Sequence, residues 1–280
     1  MEVIVAPRAG FCFGVKRAVE MATAIAARAD RPVYTFGPLI HNPVVVRSLA
    51  VQGVGVVERP EEARGGTLII RSHGVPPGFV AEARRLGVAV VDASCPFVRR
   101  AQELAARLAR DGYQVVLVGD PSHPEVKAVA AAAGGALVVR EAAEVDPRRL
   151  RSRVGLLCQT TLAAEVLAEV VAVVAPRCRE LLVHNTICTA TAQRQKAALA
   201  LAREVEAMVV VGGHASANTR HLAELCRRIV PTYQVEGPEE LRPEWVAGCA
   251  RIGLTAGAST PAEQIEAVKR RLEEMSQEGK

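Results

Sequence analysis

Three of the seven cysteines stand in positions that favour metal binding or nucleophilic chemistry. Cys12, Cys95 and Cys188 each follow a short apolar run, which predicts a buried strand, and each stands where a helical pattern begins. The first turn of a helix carries partial positive charge and unpaired N–H groups, so it favours the thiolate form of a nearby cysteine. Because the same placement occurs three times, we expect these cysteines to share one centre.

Three cysteine ligands without a fourth fit more than one kind of metal centre. They could hold a structural zinc completed by histidine, a catalytic zinc that carries water, or an iron–sulfur cluster with one iron left open. Ligands from three separate units, rather than from paired CxxC motifs, favour the cluster. The remaining cysteines are expected to be inert packing residues, and they are Cys158, Cys178, Cys226 and Cys249.

Polar side chains follow the ends of the predicted strands. Ligand sites of parallel α/β sheets form beyond the carboxyl ends of the strands. Imidazoles, hydroxyls and carboxamides all donate hydrogen bonds to phosphate oxygens, and helix N-termini add backbone donors. The turns therefore predict a cradle for a diphosphate, and its candidate residues are His41, His73, His123, Thr160, Ser216, Asn218 and Ser259.

Glu125 is the one carboxyl group in these turns. The sequence His123-Pro124-Glu125 places it in the first turn of a predicted helix. A glutamate there is favoured by the helix dipole, which is the ordinary structural explanation. In a cavity that binds anions, the same group would act as a proton donor, because adjacent negative charge raises the pKa of a carboxyl. Both roles are open at this point.

One order of elements occurs three times, and these elements must position the cysteines and the polar turns. Strands that alternate with helices predict right-handed crossovers and mostly parallel sheets. A strand at 3–6 is expected to complete the third sheet. The expected fold class is α/β, with three small units related by a pseudo-threefold axis around a central metal cluster. The predicted units are 14–95, 96–186, and 187–280 plus 1–13.

The composition bounds the class of protein. The chain has 280 residues, 50% hydrophobic content and a net charge of +5, which suit a packed core rather than disorder. No apolar run is long enough to cross a membrane, and nothing resembles a signal peptide, so we expect a cytoplasmic protein without a membrane partner. The basic residues are dispersed, which argues against nucleic-acid binding and favours a small anionic substrate.

Eight ordered motifs, spread over nearly the whole chain, resemble those of the 4-hydroxy-3-methylbut-2-enyl diphosphate reductase family. Its members are iron–sulfur enzymes of the last step in the methylerythritol phosphate route of isoprene biosynthesis. The motifs are Gly10-Phe11-Cys12-Phe13-Gly14-Val15, Ile40-His41-Asn42-Pro43, Arg71-Ser72-His73-Gly74-Val75, Asp92-Ala93-Ser94-Cys95-Pro96, His123-Pro124-Glu125-Val126, Gln159-Thr160-Thr161, Asn185-Thr186-Ile187-Cys188 and Ala256-Gly257-Ala258-Ser259.

The resemblance implies an oxidoreductase with a [4Fe-4S] cluster held by Cys12, Cys95 and Cys188, whose open iron binds the hydroxyl of the substrate. That hydroxyl is removed reductively from the allylic diphosphate, which gives isopentenyl diphosphate and dimethylallyl diphosphate. The electrons come from an external donor of the ferredoxin or flavodoxin type. Thr160 is then near the hydroxymethyl group, and Glu125 belongs to the proton relay. The residues that match the family's diphosphate site are His41, His73, His123, Ser216, Asn218 and Ser259.

One segment departs from the family pattern. The family usually has Asn-Ser-Ser-Asn where this chain has Ala215-Ser216-Ala217-Asn218. A hydroxyl that would bind the diphosphate is therefore missing at position 217. The backbone N–H of Ala217 is the donor that remains there.

Two other functions compete with the reductase. A non-redox hydro-lyase of a phosphorylated substrate would also use an open cluster iron, but it would need no electron donor. A cluster-bearing redox sensor would need the cysteines but not the histidines or Glu125. A sensor is also expected to carry an output surface such as a basic recognition helix, and the sequence shows no such pattern.

Overall fold

A computed structural model describes residues 1–278 of the chain, and the described part alternates strands with helices. Its strands are β1 (Glu2–Val5), β2 (Val33–Phe36), β3 (Val54–Val57), β4 (Thr67–Ile70), β5 (Ala89–Asp92), β6 (Gln114–Val118), β7 (Leu137–Val139), β8 (Arg153–Cys158), β9 (Glu180–Val183), β10 (Ala207–Val211), β11 (Thr232–Val235) and β12 (Arg251–Ala256). Its α-helices are α1 (Phe13–Ala26), α2 (Pro43–Val51), α3 (Pro77–Arg85), α4 (Pro96–Arg110), α5 (Pro124–Ala132), α6 (Ala164–Val174), α7 (Thr189–Ala202), α8 (Ala217–Arg227) and α9 (Ala262–Glu278).

The described strands form three sheets of four strands each, with the orders β3-β2-β4-β5, β7-β6-β8-β9 and β1-β12-β10-β11. Every strand pair is parallel. Parallel neighbours need crossover connections, and helices between the strands supply most of them. The three sheets share one order, in which two central strands are flanked by one edge strand on each side. The predicted α/β fold of three repeated units is confirmed.

The N-terminal strand completes the third sheet, as predicted. β1 pairs with β12 in parallel, with Val3 opposite Ile252 and Val5 opposite Leu254. This strand takes the place that β5 and β9 occupy in the other two sheets. A segment from the start of the chain therefore provides the strand that leads into Cys12.

Contacts between residues divide the chain into two compact units. One unit consists of 1–16, 40–48 and 189–280, and it contains the sheet of β1, β10, β11 and β12. The other unit consists of 17–39 and 49–188, and it contains the other two sheets. The division into three domains at 14–95, 96–186 and 187–280 plus 1–13 remains a prediction.

The packing of α4 against its sheet holds the segment that begins after Cys95. On α4, which begins directly after Cys95, the buried stripe follows helical spacing and consists of Val98, Ala101, Leu104, Ala105 and Leu108. Leu108 lies against Gly155 of β8, where a Cβ atom would meet Leu108 Cδ2 at 2.7 Å. The helix therefore approaches the sheet closely, and any side chain at Gly155 would push it away.

Helix α7 ends at Ala202, and Val205 is buried in the short connection to β10. Helix α8 begins at Ala217, where the hydroxyl of Ser216 caps it. Within residues 1–278, no helix combines the length and apolar character needed to cross a membrane.

Candidate functional site

Each candidate cysteine is anchored by the same backbone hydrogen bond. The N–H of Cys95 donates to the carbonyl oxygen of Ser72 (2.9 Å), that of Cys188 to Thr160 (2.9 Å), and that of Cys12 to Ala258 (3.1 Å). In each case the acceptor lies two residues beyond the end of a central strand, namely β4, β8 or β12. The three cysteines therefore occupy equivalent positions of their sheets, which supports the expectation that they act alike.

The other four cysteines have surroundings that disfavour the thiolate. Burial raises the pKa of Cys226 to about 11 and raises the pKa values of Cys158, Cys178 and Cys249 as well. The three candidates are half-buried, as are Cys178 and Cys249, whereas Cys158 and Cys226 are buried. The raised pKa values agree with packing roles for the four, and the repeated backbone anchor is what sets the three candidates apart.

The turns that carry the polar residues are also built alike. Directly after β2, β6 and β10 stands a glycine whose N–H donates to the last residue of the edge strand. The bonds join Gly37 to Val57, Gly119 to Val139 and Gly212 to Val235, each at 2.8 Å. A helix then begins a few residues later, and its first turn is capped by the side chain of Asn42, His123 or Ser216. Two of the expected diphosphate ligands are thus also helix caps.

Glu125 lies at the second position of α5 and is 3% exposed. Both of its carboxyl oxygens contact Thr160: the backbone N–H donates to Oε1 (2.7 Å), and the hydroxyl donates to Oε2 (2.8 Å). Burial raises the pKa of Glu125, and the two hydrogen bonds from Thr160 offset part of that rise. The environment therefore favours a neutral carboxylic acid, which can give up a proton.

Two histidines meet near this acid. The rings of His73 and His123 are in edge contact, with centroids 5.3 Å apart. Nδ1 of His123 accepts a hydrogen bond from the backbone N–H of Glu125 (3.2 Å). When the ring is neutral, its proton therefore resides on Nε2, so that Nε2–H is the donor side of His123.

Helix α8 lies in the unit of 1–16, 40–48 and 189–280, and its N-terminus carries hydroxyl and amide groups instead of a carboxyl. The hydroxyl of Ser216 accepts a hydrogen bond from the N–H of Thr219 (3.3 Å). Nδ2 of Asn218 is buried, and it has no hydrogen-bond partner among the described residues. A buried carboxamide donor without a partner points to a ligand, because native structures satisfy almost all such groups. Together with the helix N-terminus, this donor fits an anion.

Asn42 is a site residue that the sequence reasoning placed in a turn without giving it a role. The residue is 1% exposed, and its Nδ2 donates to the carbonyl oxygen of Ser259 (2.8 Å) and to Oε1 of Gln264 (3.0 Å). Its Oδ1 accepts from the N–H groups of Val44 and Val45. Asparagine before proline at a helix start is a capping signal, so the cap could have been predicted. The bonds to residues more than 200 positions away could not.

Ser259 and His41 lie together in that unit. The hydroxyl of Ser259 donates to the carbonyl oxygen of His41 (3.2 Å).

Gln159, the neighbour of Thr160, is a second positioning residue that the sequence patterns did not reveal. Its Oε1 accepts from the N–H of Asp120 (3.1 Å), and its Nε2 donates to the hydroxyl of Thr161 (3.2 Å). Each unit therefore assembles its own share of the expected residues.

These observations define a class of α/β protein with three sheets and one anchored cysteine per sheet. The chain belongs to the family described as LytB protein, whose profile matches residues 3–273. It is 47% identical over 282 residues to the 4-hydroxy-3-methylbut-2-enyl diphosphate reductase of Geobacter sulfurreducens, with 100% of both chains covered. It is 44% identical over 280 residues to the reductase of the same name from Aquifex aeolicus, with 98% of this chain and 97% of that one covered.

Solved structures agree with this assignment. A structure of (E)-4-hydroxy-3-methyl-but-2-enyl diphosphate reductase, described as the terminal enzyme of the non-mevalonate pathway, is 43% identical and has a TM-score of 0.72, covering 98% of this chain and 100% of that one. The E-1-hydroxy-2-methyl-but-2-enyl-4-diphosphate reductase of Plasmodium falciparum is 25% identical, with a TM-score of 0.88 over 95% of this chain and 86% of that one. The family resemblance of the sequence motifs is confirmed.

Proposed function

We propose that this chain is a 4-hydroxy-3-methylbut-2-enyl diphosphate reductase. In this reaction the allylic C–O bond breaks, the hydroxyl leaves as water with one proton, and a second proton forms a C–H bond at an allylic carbon. Two electrons from an external donor of the ferredoxin or flavodoxin type balance the step. The products are isopentenyl diphosphate and dimethylallyl diphosphate.

The observation that carries the proposal is the position of Thr160. Its N–H and hydroxyl bind the two oxygens of Glu125, while its carbonyl oxygen accepts the N–H of Cys188. One residue thus joins a buried acid to a loop that carries a candidate metal ligand. A reductive dehydroxylation needs this combination, because a proton must reach the atoms that the metal centre reduces.

The residues fit a [4Fe-4S] cluster bound by Cys12, Cys95 and Cys188. Three partly accessible thiols on equivalent, anchored loops are the protein's share of a cluster with one open iron, and the four other cysteines are held in environments that disfavour thiolates. When bound, such a cluster supplies electrons and a Lewis-acidic iron for the departing oxygen.

The acid and its neighbour move the proton. Burial makes the charged form of Glu125 costly and so raises its pKa, which favours the protonated acid. In the protonated state the carboxyl donates to the hydroxyl of Thr160, which can pass its own proton to a substrate oxygen next to it. The backbone N–H of Thr160 holds the other carboxyl oxygen in place during the transfer. The relay therefore needs both residues.

Each unit has its own candidate donors for a diphosphate. In one unit these are Ser259, His41 and the first turn of α8, where the buried Nδ2 of Asn218 has no hydrogen-bond partner among residues 1–278 and Ala217 is the first helical residue. In the other unit they are His73 and His123. Histidine, hydroxyl and amide donors suit phosphate oxygens, and the absence of a carboxylate from this set avoids repulsion. The full set is His41, His73, His123, Ser216, Ala217, Asn218 and Ser259.

The test is an anaerobic preparation of the full chain, with analysis of iron and sulfide and an assay of the allylic diphosphate with a chemical reductant. Iron, sulfide and both diphosphate products are the expected result. Zinc without sulfide would contradict the cluster. Turnover of a phosphorylated substrate without a reductant would favour the hydro-lyase, and a cluster without any turnover would favour a redox sensor.

A further inference from the structure

The loop before Cys12 lacks the local side-chain turn that the loops before the other two candidate cysteines contain. The Cys95 loop is stabilised by its own Asp92, whose side chain accepts the N–H of Ser94 (2.8 Å). In the Cys188 loop, Asn185 accepts the N–H of Ile187 (3.0 Å) in the same way. In both loops the side-chain oxygen of an Asp or Asn accepts the N–H of the residue two positions further on, which is an Asx turn. The segment from position 8 to position 11 contains no aspartate or asparagine that could do this.

The Cys12 loop also has an unfavourable backbone. Arg8 has a φ of 67°, and it is the one non-glycine residue with positive φ in the described part of the chain. Gly10 has a φ of 89°. Left-handed backbone at a residue with a side chain is costly, and it persists only where surrounding contacts enforce it. Something outside the loop must therefore hold it.

Arg194 of α7 supplies that contact. The residue is 3% exposed, its Nε donates to the carbonyl oxygen of Arg8 (3.1 Å), and one terminal nitrogen donates to that of Gly10 (2.8 Å). The two acceptors flank a single residue, so the planar fork of the guanidinium spans the turn. A buried cation is expensive unless it is hydrogen-bonded, which makes these bonds the physical reason for an arginine at this place.

The space beside Gly10 is filled as well. A Cβ atom at Gly10 would lie 2.9 Å from Ile265 Cδ1 and 3.1 Å from the carbonyl oxygen of Thr260. Beyond Gly10, the N–H of Cys12 is bound by Ala258. The loop is therefore clamped between the segment after β12 and the guanidinium of Arg194, and its exit leads directly to the thiol.

We propose that Arg194 is a positioning residue that holds the loop of positions 8–10 so that Cys12 presents its thiolate for cluster binding. This inference rests on the proposed function, since it takes Cys12 as a ligand. Hydrogen bonds of the Arg194 side chain go to backbone carbonyl oxygens, those of Arg8, Gly10 and, at 3.5 Å, Ala190. Arg194 acts through the carbonyl groups of Arg8 and Gly10.

The test compares Arg194→Gln and Arg194→Lys with the control Arg203→Gln. Arg203 also donates to a backbone carbonyl, that of Leu199 (3.2 Å), but it is exposed. The first readout is the alkylation rate of each cysteine in the full chain before cluster reconstitution, resolved by mass spectrometry of the peptides. The second is the rate at which a chelator removes iron from the reconstituted protein.

In Arg194→Gln, alkylation of Cys12 should accelerate severalfold while Cys95 and Cys188 keep their wild-type rates. Iron should be lost faster, Arg194→Lys should lie between Gln and wild type because it retains one donor, and Arg203→Gln should behave as wild type. An unchanged Cys12 rate in Arg194→Gln would overturn the inference. Equal acceleration of all three cysteines, or failure of both Arg194 variants to fold, would also overturn it, because Arg194 would then support the whole unit.

The two proposals fail in different ways. Wild-type protein without iron and sulfide would end the cluster proposal, whatever the alkylation rates. A wild-type protein with a full cluster, combined with an unchanged Cys12 in Arg194→Gln, would end only the role of Arg194.

Discussion

The first turns of α5 and α8 are built on the same plan but present opposite chemistry. Each follows a central strand and a glycine turn, and each is capped by a side chain, His123 in one and Ser216 in the other. The second helical position carries Glu125 in α5 and Asn218 in α8. Glu125 has both oxygens bound by Thr160, whereas Nδ2 of Asn218 has no partner among residues 1–278.

The difference between Glu125 and Asn218 separates proton donation from ligand binding. A carboxyl whose two oxygens are both bound by the protein is held in place, and burial raises its pKa, which suits it to act as an acid. A buried donor that the protein leaves unsatisfied is available to a ligand. One repeated scaffold can therefore provide a proton donor in one sheet and an anion-binding amide in another, and the choice depends on a single side chain.

The largest effect is expected from replacing the three candidate cysteine ligands. Changing Cys12, Cys95 or Cys188 to serine should abolish iron binding and activity, because a hydroxyl is a poor ligand for a cluster. Cys158→Ser is the matched control, since Cys158 is buried and already bonded to Thr186. The iron content and the turnover of each variant are the measurements. Full activity in any of the three variants, or equal loss in the control, would show that the repeated anchor does not mark the ligands.

The acid side of the comparison is tested by Glu125→Gln. Glutamine keeps the shape of the side chain but cannot transfer a proton, so turnover should fall about 10²-fold or more. Cluster content and the dissociation constant of the substrate should persist. Near-normal turnover would leave Glu125 as a helix-terminal residue, and loss of the cluster together with activity would make its role structural.

The donor side is tested by Asn218→Ala. Hydrogen bonds to charged groups contribute about 1.5–3 kcal/mol, so the substrate should bind about tenfold more weakly or worse, with the cluster intact and turnover at saturation close to wild type. Asn218→Asp adds negative charge at the same place and should weaken binding further. Equal affinity in wild type and Asn218→Ala would mean that the amide does not face the diphosphate.

The smallest effect concerns the neighbouring position. If Ala217 faces the diphosphate, Ala217→Ser should tighten substrate binding by about 0.5–1.5 kcal/mol, the net contribution of one hydrogen bond. Isothermal titration of the substrate measures this difference. An unchanged or weaker dissociation constant would show that the backbone N–H of the first turn already satisfies those oxygens.

Much of this comparison could be predicted from local sequence. Apolar runs and polar turns repeat at the right places, so the three sheets, the strand from the N-terminus and the helix that carries Glu125 were all predictable. The His123-Pro124-Glu125 pattern even specifies the cap, because proline at the first helical position is preorganised for a helix.

The contacts that give these residues their chemistry depend on folding over long distances in sequence. Thr160 meets Glu125 from 35 positions away, Asn42 reaches Ser259 over 217 positions, and Arg194 reaches Gly10 over 184. No local pattern signals such pairs. Arg194 in particular is indistinguishable in sequence from a surface arginine of an ordinary helix, and only its burial reveals its role.

The central claim is that the pKa of Glu125 lies above that of an ordinary glutamate, and infrared difference spectroscopy of wild type against Glu125→Gln over a pH series measures this directly. Because the folded pKa is raised, the stability that the group contributes is fully present below the ordinary glutamate pKa and is lost as pH rises through the folded value. The expected result is a protonated-carboxyl band in wild type that persists above the ordinary glutamate pKa, disappears at still higher pH and is missing from Glu125→Gln. A carboxylate band that replaces the protonated band already at the ordinary glutamate pKa would contradict the claim.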